Sequence, residues 1–206
     1  LFNSFMDTEK INKDGVEPLL AEVRPVIEAT GKTELLDVVA EADRAGIGSP
    51  FGWYTSIDAK NPEKYVVYLA QAGLGLPDES YYREEKYAEI RSAYVDFIQR
   101  MFELTGLAEP FGMTTETAAH TIMKFETDLA QHHWDKVTLR DANKRYNPVA
   151  AADLNTEFPG FDYTRWIEGL GSSVQKFGTV IVGQPSYFEA VSKIWETEPI
   201  EAWKLY

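Results

Sequence analysis

The sequence predicts a mainly α-helical chain with one small β-hairpin as a minor β component. Two observations predict it. Apolar residues recur at spacings of three and four along most of the chain, and aromatic and β-branched residues gather in two neighbouring runs separated by turn formers. A third observation sets the scale: 206 residues with 44% hydrophobic and 13% aromatic content are enough to bury a core without cross-links.

Pro18 suits a first helical turn, and Leu19, Leu20, Val23, Val26 and Ile27 carry that helix to about Ala29. Thr33 is placed to cap a second helix, with Leu36, Val39 and Ala40 along one side and Gly46 as its stop. Phe51 to Ile57 and Tyr65 to Leu69 read as the two hairpin strands, with Asp58-Ala59-Lys60-Asn61-Pro62 as the turn region. Two strands alone are marginal in water, so the hairpin must lie against helices or a further strand. Val180-Ile181-Val182 is the only other strand-like run and is short for an assignment.

Gly73-Leu74-Gly75-Leu76-Pro77-Asp78 is a connection rich in helix breakers. After it, Tyr87, Ile90, Tyr94, Phe97, Ile98, Met101 and Leu104 form one helical stripe, ended by Gly106, which predicts a helix of about six turns. Thr114 or Thr115 starts another, with Ala118, Ile122, Phe125, Leu129 and His133 on one face. Asp162 caps a shorter helix carrying Trp166, Ile167 and Leu170 and stopped by Gly171, Pro185 opens one bearing Phe188, Val191 and Trp195, and a last helix runs from Thr197. No repeat of roughly 30 to 50 residues is present. No Gly/Ser/Pro linker divides the chain, so residues 1–206 read as one unit, with the polar stretch Arg140 to Asp162 as its nearest seam.

Twenty Lys and Arg stand against 33 Asp and Glu, a formal net charge of −13. A phosphate backbone would repel such a surface, and no basic patch offsets it, so nucleic acid is not an expected partner. The chain has no cysteine, which excludes disulfides, Cys-ligated zinc, iron–sulfur clusters and thiol nucleophiles. It also fits a reducing, cytoplasmic compartment, with an exported or membrane-anchored parent as the alternative, since many bacterial exported proteins lack cysteine too. No apolar run approaches the roughly 20 residues of a membrane span. The chain opens without a Met and closes on the apolar-periodic run Glu201 to Tyr206 without a helix stop, which leads to the expectation of a piece of a longer protein.

Three histidines, His120, His132 and His133, make up the candidate metal donors of that type. On one helix, His120 and His132 would stand about 18 Å apart along the axis and could not share an ion. Asp128 and His132 at i,i+4 could supply two ligands, but no third is evident, and a histidine hydrogen-bonded near a helix end is the simpler reading. The helical zinc motif His-Glu-x-x-His, the phosphate-binding glycine loops and the Gly-x-Ser-x-Gly elbow are all missing. Acid pairs such as Glu84-Glu85, Glu126 with Asp128, and Glu196 with Glu198 arise readily among 33 acids and read as solvated faces. The residues alone therefore name no catalytic, cofactor-binding or metal-binding side chain.

Several stretches nevertheless resemble the neprilysin family of zinc metallopeptidases, which includes endothelin-converting enzymes and bacterial oligopeptidase O proteins. The opening Leu1-Phe2-Asn3-Ser4-Phe5-Met6-Asp7 with Ile11, then Gly15-Val16-Glu17-Pro18-Leu19-Leu20, is similar to the family's early helix and Gly-x-x-Pro-Leu turn. Leu74-Gly75-Leu76-Pro77-Asp78-Glu79-Ser80-Tyr81-Tyr82 matches its Leu-Gly-Leu-Pro-x-x-x-Tyr-Tyr motif. Phe125-Glu126-Thr127-Asp128-Leu129-Ala130 resembles its Glu-x-x-Leu-Ala helix, and Arg140-Asp141 with Tyr146-Asn147-Pro148 its Arg-Asp and Tyr-Asn pairs. Val180-Ile181-Val182-Gly183-Gln184-Pro185-Ser186-Tyr187 is similar to the strand and Pro-x-Tyr helix start that follow. These come in the family's order across almost the whole chain.

The resemblance implies that residues 1–206 are the N-terminal, mostly helical, lid-like region of a zinc-dependent metalloendopeptidase that hydrolyses oligopeptides. The zinc helix, its third ligand and the substrate strand of the family would lie downstream, in a catalytic domain of the same polypeptide that this chain lacks. Zinc is then the cofactor of the full-length parent, with none bound by this segment. Animal members carry Cys where this chain has Phe5, which points to a bacterial member. A non-enzymatic helical binding or scaffolding module, or an inactive homologue, is the alternative.

Overall fold

The computed structural model describes residues 2–206; Leu1, the first residue of the opening motif, lies outside the described residues. Two short helices, α1 (Phe2–Met6) and α2 (Thr8–Asp14), lead into α3 (Glu17–Glu28) and α4 (Lys32–Arg44). The side chain of Asp7 caps α2 by accepting from the Lys10 backbone N–H. Gly31, rather than the expected Thr33, is the N-cap of α4. The correction has a local cause. Glu34 reaches back to accept from both the backbone N–H and the hydroxyl of Thr30, each at 2.8 Å, so donors ahead of the helix are satisfied by a start two residues earlier than a Thr33 cap would give.

The hairpin forms as expected, from β1 (Phe51–Asp58) and β2 (Asn61–Gln71), but it is half of a larger sheet. After β2 come α5 (Ser80–Arg83), α6 (Ala88–Thr105), α7 (Thr115–Ala130), the short strand β3 (Asn147–Ala150), α8 (Leu154–Glu157), α9 (Tyr163–Gly169), α10 (Val174–Phe177), β4 (Thr179–Val182), α11 (Pro185–Thr197) and α12 (Ile200–Leu205). The strands line up as β1-β2-β4-β3, with β2 and β4 parallel and both outer pairs antiparallel. The Val180 to Val182 run is thus a central strand, buried throughout, and it supplies the further partner that a lone hairpin needs.

Helix ends follow their chemistry. Gly106 closes α6 in the left-handed conformation at φ 70°, so α6 has 18 residues, about five turns rather than six. The Thr114 hydroxyl caps α7 by accepting from the Thr117 N–H, and Asp162 does the same for α9. α7 stops at Ala130, so His132 and His133 lie in the turn beyond it.

The main core sits on the inner face of the sheet beneath α4, α9 and α11. Phe51 is at its centre, with ring centroids 5.1 Å from Trp166, 5.3 Å from Phe161 and 5.4 Å from Phe188. Tyr163 is wholly buried beside them, its hydroxyl 2.8 Å from that of Ser192. α4 and α9 are further tied by a two-pronged Arg165–Asp37 pair at 2.7 Å and by the Trp166 indole N–H donating to Asp43 at 2.8 Å. A second, smaller cluster of Leu76, Tyr82 and Ala130 lies under the breaker-rich connection, which brings the next site together.

Candidate functional site

The connection leaving β2 is held on every side by side chains from distant parts of the chain. Gln71 accepts from the Trp134 backbone N–H at 2.8 Å and donates to the Trp134 carbonyl at 3.0 Å, while its own N–H donates to Gln184. The Ala72 carbonyl accepts from the Tyr187 hydroxyl and from His133 Nε2, both at 3.0 Å. The Gly73 carbonyl accepts from Tyr206 at 2.6 Å.

At the next step stands Glu126 of α7, only 5% exposed. Its carboxyl oxygens accept from the Gly75 backbone N–H at 3.0 Å, from the Tyr94 hydroxyl at 2.8 Å and from the Tyr82 hydroxyl. Tyr82 in turn accepts from the Leu76 N–H at 3.0 Å. Burial pushes the hydroxyls of Tyr82, Tyr94 and Tyr206 above their usual range, and the neighbouring Glu126 pushes the same way, so these groups are held as neutral donors. Burial likewise keeps His133 neutral, its pKa lowered to about 4.

The acid pairs therefore divide. Glu126 is not part of a solvated face; it is the buried acceptor joining α5, α6, α7 and the connection. Asp128, two positions on, points outward to a Lys124 amine 2.8 Å away. Glu84 pairs with Lys86 and Arg83, and Glu196 is exposed. His120 and His132 are exposed, and His133 is the hydrogen-bonded histidine beyond a helix end. Among the described residues no group of three or more His, Asp or Glu side chains could hold a metal ion. The arrangement as a whole fastens elements together. The role of Glu126 was invisible in sequence because its partners lie 32 to 51 positions away. The available signal was that Gly75 and Tyr82 belong to one motif and Glu126 to the next.

Two depressions flank this fastening. A polar cleft of about 530 Å³ is lined by Glu79, Arg83, His133, Trp134 and Asp135 among others. An apolar groove of about 340 Å³ lies between α3, α4 and α12, with Phe102, Leu107 and Phe111 closing its far side.

The profile of peptidase family M13 matches residues 1–206. The chain belongs to that family. Over 98% of its length this M13 chain superposes with a TM-score of 0.91 and 38% identity on the zinc metalloprotease Zmp1 of Mycobacterium tuberculosis, solved with an inhibitor, and it covers 30% of that protein. PepO from Lactobacillus rhamnosis shares the fold, with a TM-score of 0.71 over 94% of the chain at 17% identity. Endothelin-converting enzyme 1 of Cavia porcellus is 27% identical over 150 residues, 71% of the M13 chain and 20% of the enzyme. Membrane metallo-endopeptidase-like 1 of Mus musculus is 26% identical over 194 residues, 85% of the chain and 25% of the relative. The M13 chain thus spans about a fifth to a third of the length of these relatives. Among the described residues no helix is long and apolar enough to cross a membrane.

Proposed function

We propose that residues 1–206 are the N-terminal, non-catalytic wall of a zinc-dependent metalloendopeptidase that cleaves oligopeptides, helping to enclose the chamber in which its catalytic domain works. The match to Zmp1, a zinc metalloprotease, at 38% identity over 98% of the chain carries the reading. Among the described residues no group of three or more His, Asp or Glu side chains could hold a metal ion, and on this reading zinc is held elsewhere in the full-length polypeptide. What this chain contributes is shape: Glu126 and its three donors fix the angle between the connection, α6 and α7, and thereby the surface these elements offer to peptide.

The parent is read as bacterial, in keeping with higher identity to the mycobacterial protein than to the animal ones. A cytoplasmic place remains part of the reading on the strength of the missing cysteines, and fractionation of the source cells tests it. The decisive experiment is hydrolysis of an oligopeptide library by the full-length protein. Activity abolished by a chelator and restored by zinc is expected. A full-length protein inert under both conditions overturns the peptidase reading in favour of a binding module.

A further inference from the structure

The apolar groove between α3, α4 and α12 has an unfinished wall. Val23, Val26 and Ile27 of α3 and Val38 of α4 are only half-buried along it, and Ile47 beyond α4 is 54% exposed. At about 340 Å³ it lies at the small end of ligand cavities, which run from roughly 300 to 1,000 Å³ and carry a few convergent polar groups. Its polar groups do not converge on a ligand. The Lys204 amine is already donating to the Ala29 carbonyl at 3.0 Å, and the Ser49 hydroxyl to the Phe51 carbonyl at 2.9 Å. A small molecule would find walls but nothing to orient it.

One polar group in the lining is unspent. The indole N–H of Trp203 is buried without a hydrogen-bond partner, a state that costs about 1–3 kcal/mol unless an acceptor arrives. The position of the chain supplies a candidate. Lys204, Leu205 and Tyr206 are themselves part of the groove wall, so polypeptide following Tyr206 would start at its edge. The M13 relatives are three to five times longer than this chain, which covers 20% to 30% of them. Ile200, Trp203 and Tyr206 already run at helical spacing toward that edge.

We propose that the groove is the seat of the segment that directly follows Tyr206 in the full-length protein, whose apolar side chains fill it and whose backbone or side-chain acceptor satisfies Trp203. The proposal rests on the chain being part of a longer M13 polypeptide and not on that polypeptide being active. A photo-crosslinking amino acid placed at Ile47 in the full-length protein tests it, with the same probe at Val23 should the first variant fail to fold and at the exposed Tyr65 of the hairpin as control. The expected result is an intramolecular cross-link from the groove positions, absent from Tyr65, to one of the roughly 20 residues that follow Tyr206, a stretch that as helix would span about 30 Å, the width of a small domain; a cross-link to Trp195, Trp203 or Leu205 of the groove wall instead counts against it. A cross-link to a second copy, to a more distant part of the chain, or to no peptide at all overturns it. Because the readout is a cross-link, it holds or fails independently of peptide hydrolysis.

Discussion

At Gly75 a methyl group has nowhere to go, because a Cβ built there overlaps the hydroxyl of Tyr94, and that hydroxyl is committed to Glu126. Gly75→Ala is therefore expected to cost about 2–3 kcal/mol by forcing Tyr94 off Glu126. Tyr94→Phe alone should cost about 1 kcal/mol, and the two together less than their sum, as read from urea midpoints in a double-mutant cycle. Pro77 is exposed, so the strength of this turn resides in Gly75 and Leu76. Asp43 and His133 make a second residue-scale prediction. Burial raises the Asp43 carboxyl to about 6 and lowers His133 to about 4. A raised acid gives stability that is present below the unfolded pKa and is lost as pH rises through 6; a lowered imidazole gives stability that is lost as pH falls from 6.5 toward 4. The two slopes oppose each other in one window, each worth about 2 kcal/mol after allowance for solvent access. Asp43→Asn should leave stability rising from pH 4 to 6.5, and His133→Gln should leave it falling. Equal slopes in the two variants would refute the assignment of opposed titrations to these two groups.

At the scale of elements, α6 departs most from what its stripe suggests. Ile98 is buried, but Phe97 and Leu104 are 58% and 60% exposed, because α6 meets the rest of the described chain on one narrow side. Ile98→Ala should cost about 2–4 kcal/mol. Phe97→Lys with Leu104→Lys should stay within about 0.5 kcal/mol and reduce any self-association of the segment, as seen by sedimentation velocity. α1 and α2 bury no residue at all, so their amides should exchange with solvent far faster than those of α7 or α11. How legible each element was depends on where its instructions lie. α7, α9 and α11 were readable because caps and i,i+3/i+4 spacing are local. β3 was not, since Asn147-Pro148-Val149-Ala150 has little strand character and pairs only because Val180 to Val182 offers it an edge. The buried setting of Glu126 was equally hidden, as a lone acid between apolar neighbours looks the same whether its partners are water or tyrosines brought from elsewhere.

For the whole molecule, the central pairing is the parallel one between β2 and β4, where Val67 to Leu69 meet Val180 to Val182. It joins the first half of the chain to its last quarter, and the core rings contributed by Phe51, Trp166 and Phe188 span the same divide. Unfolding should accordingly be a single cooperative transition for everything from α4 onward, with coincident fluorescence and far-UV traces; separate transitions would show that the halves stand alone. The same pairing imposes an order in time. During synthesis the finished hairpin, with β2 ending at Gln71, must wait until β4 at Thr179 has been made. At about 5–20 residues per second, the ribosome leaves that strand edge open for some 5–20 seconds. For that interval the nascent chain offers an unpaired template to any neighbour on the same message, and the cell's holding chaperones have a defined window in which to shield it.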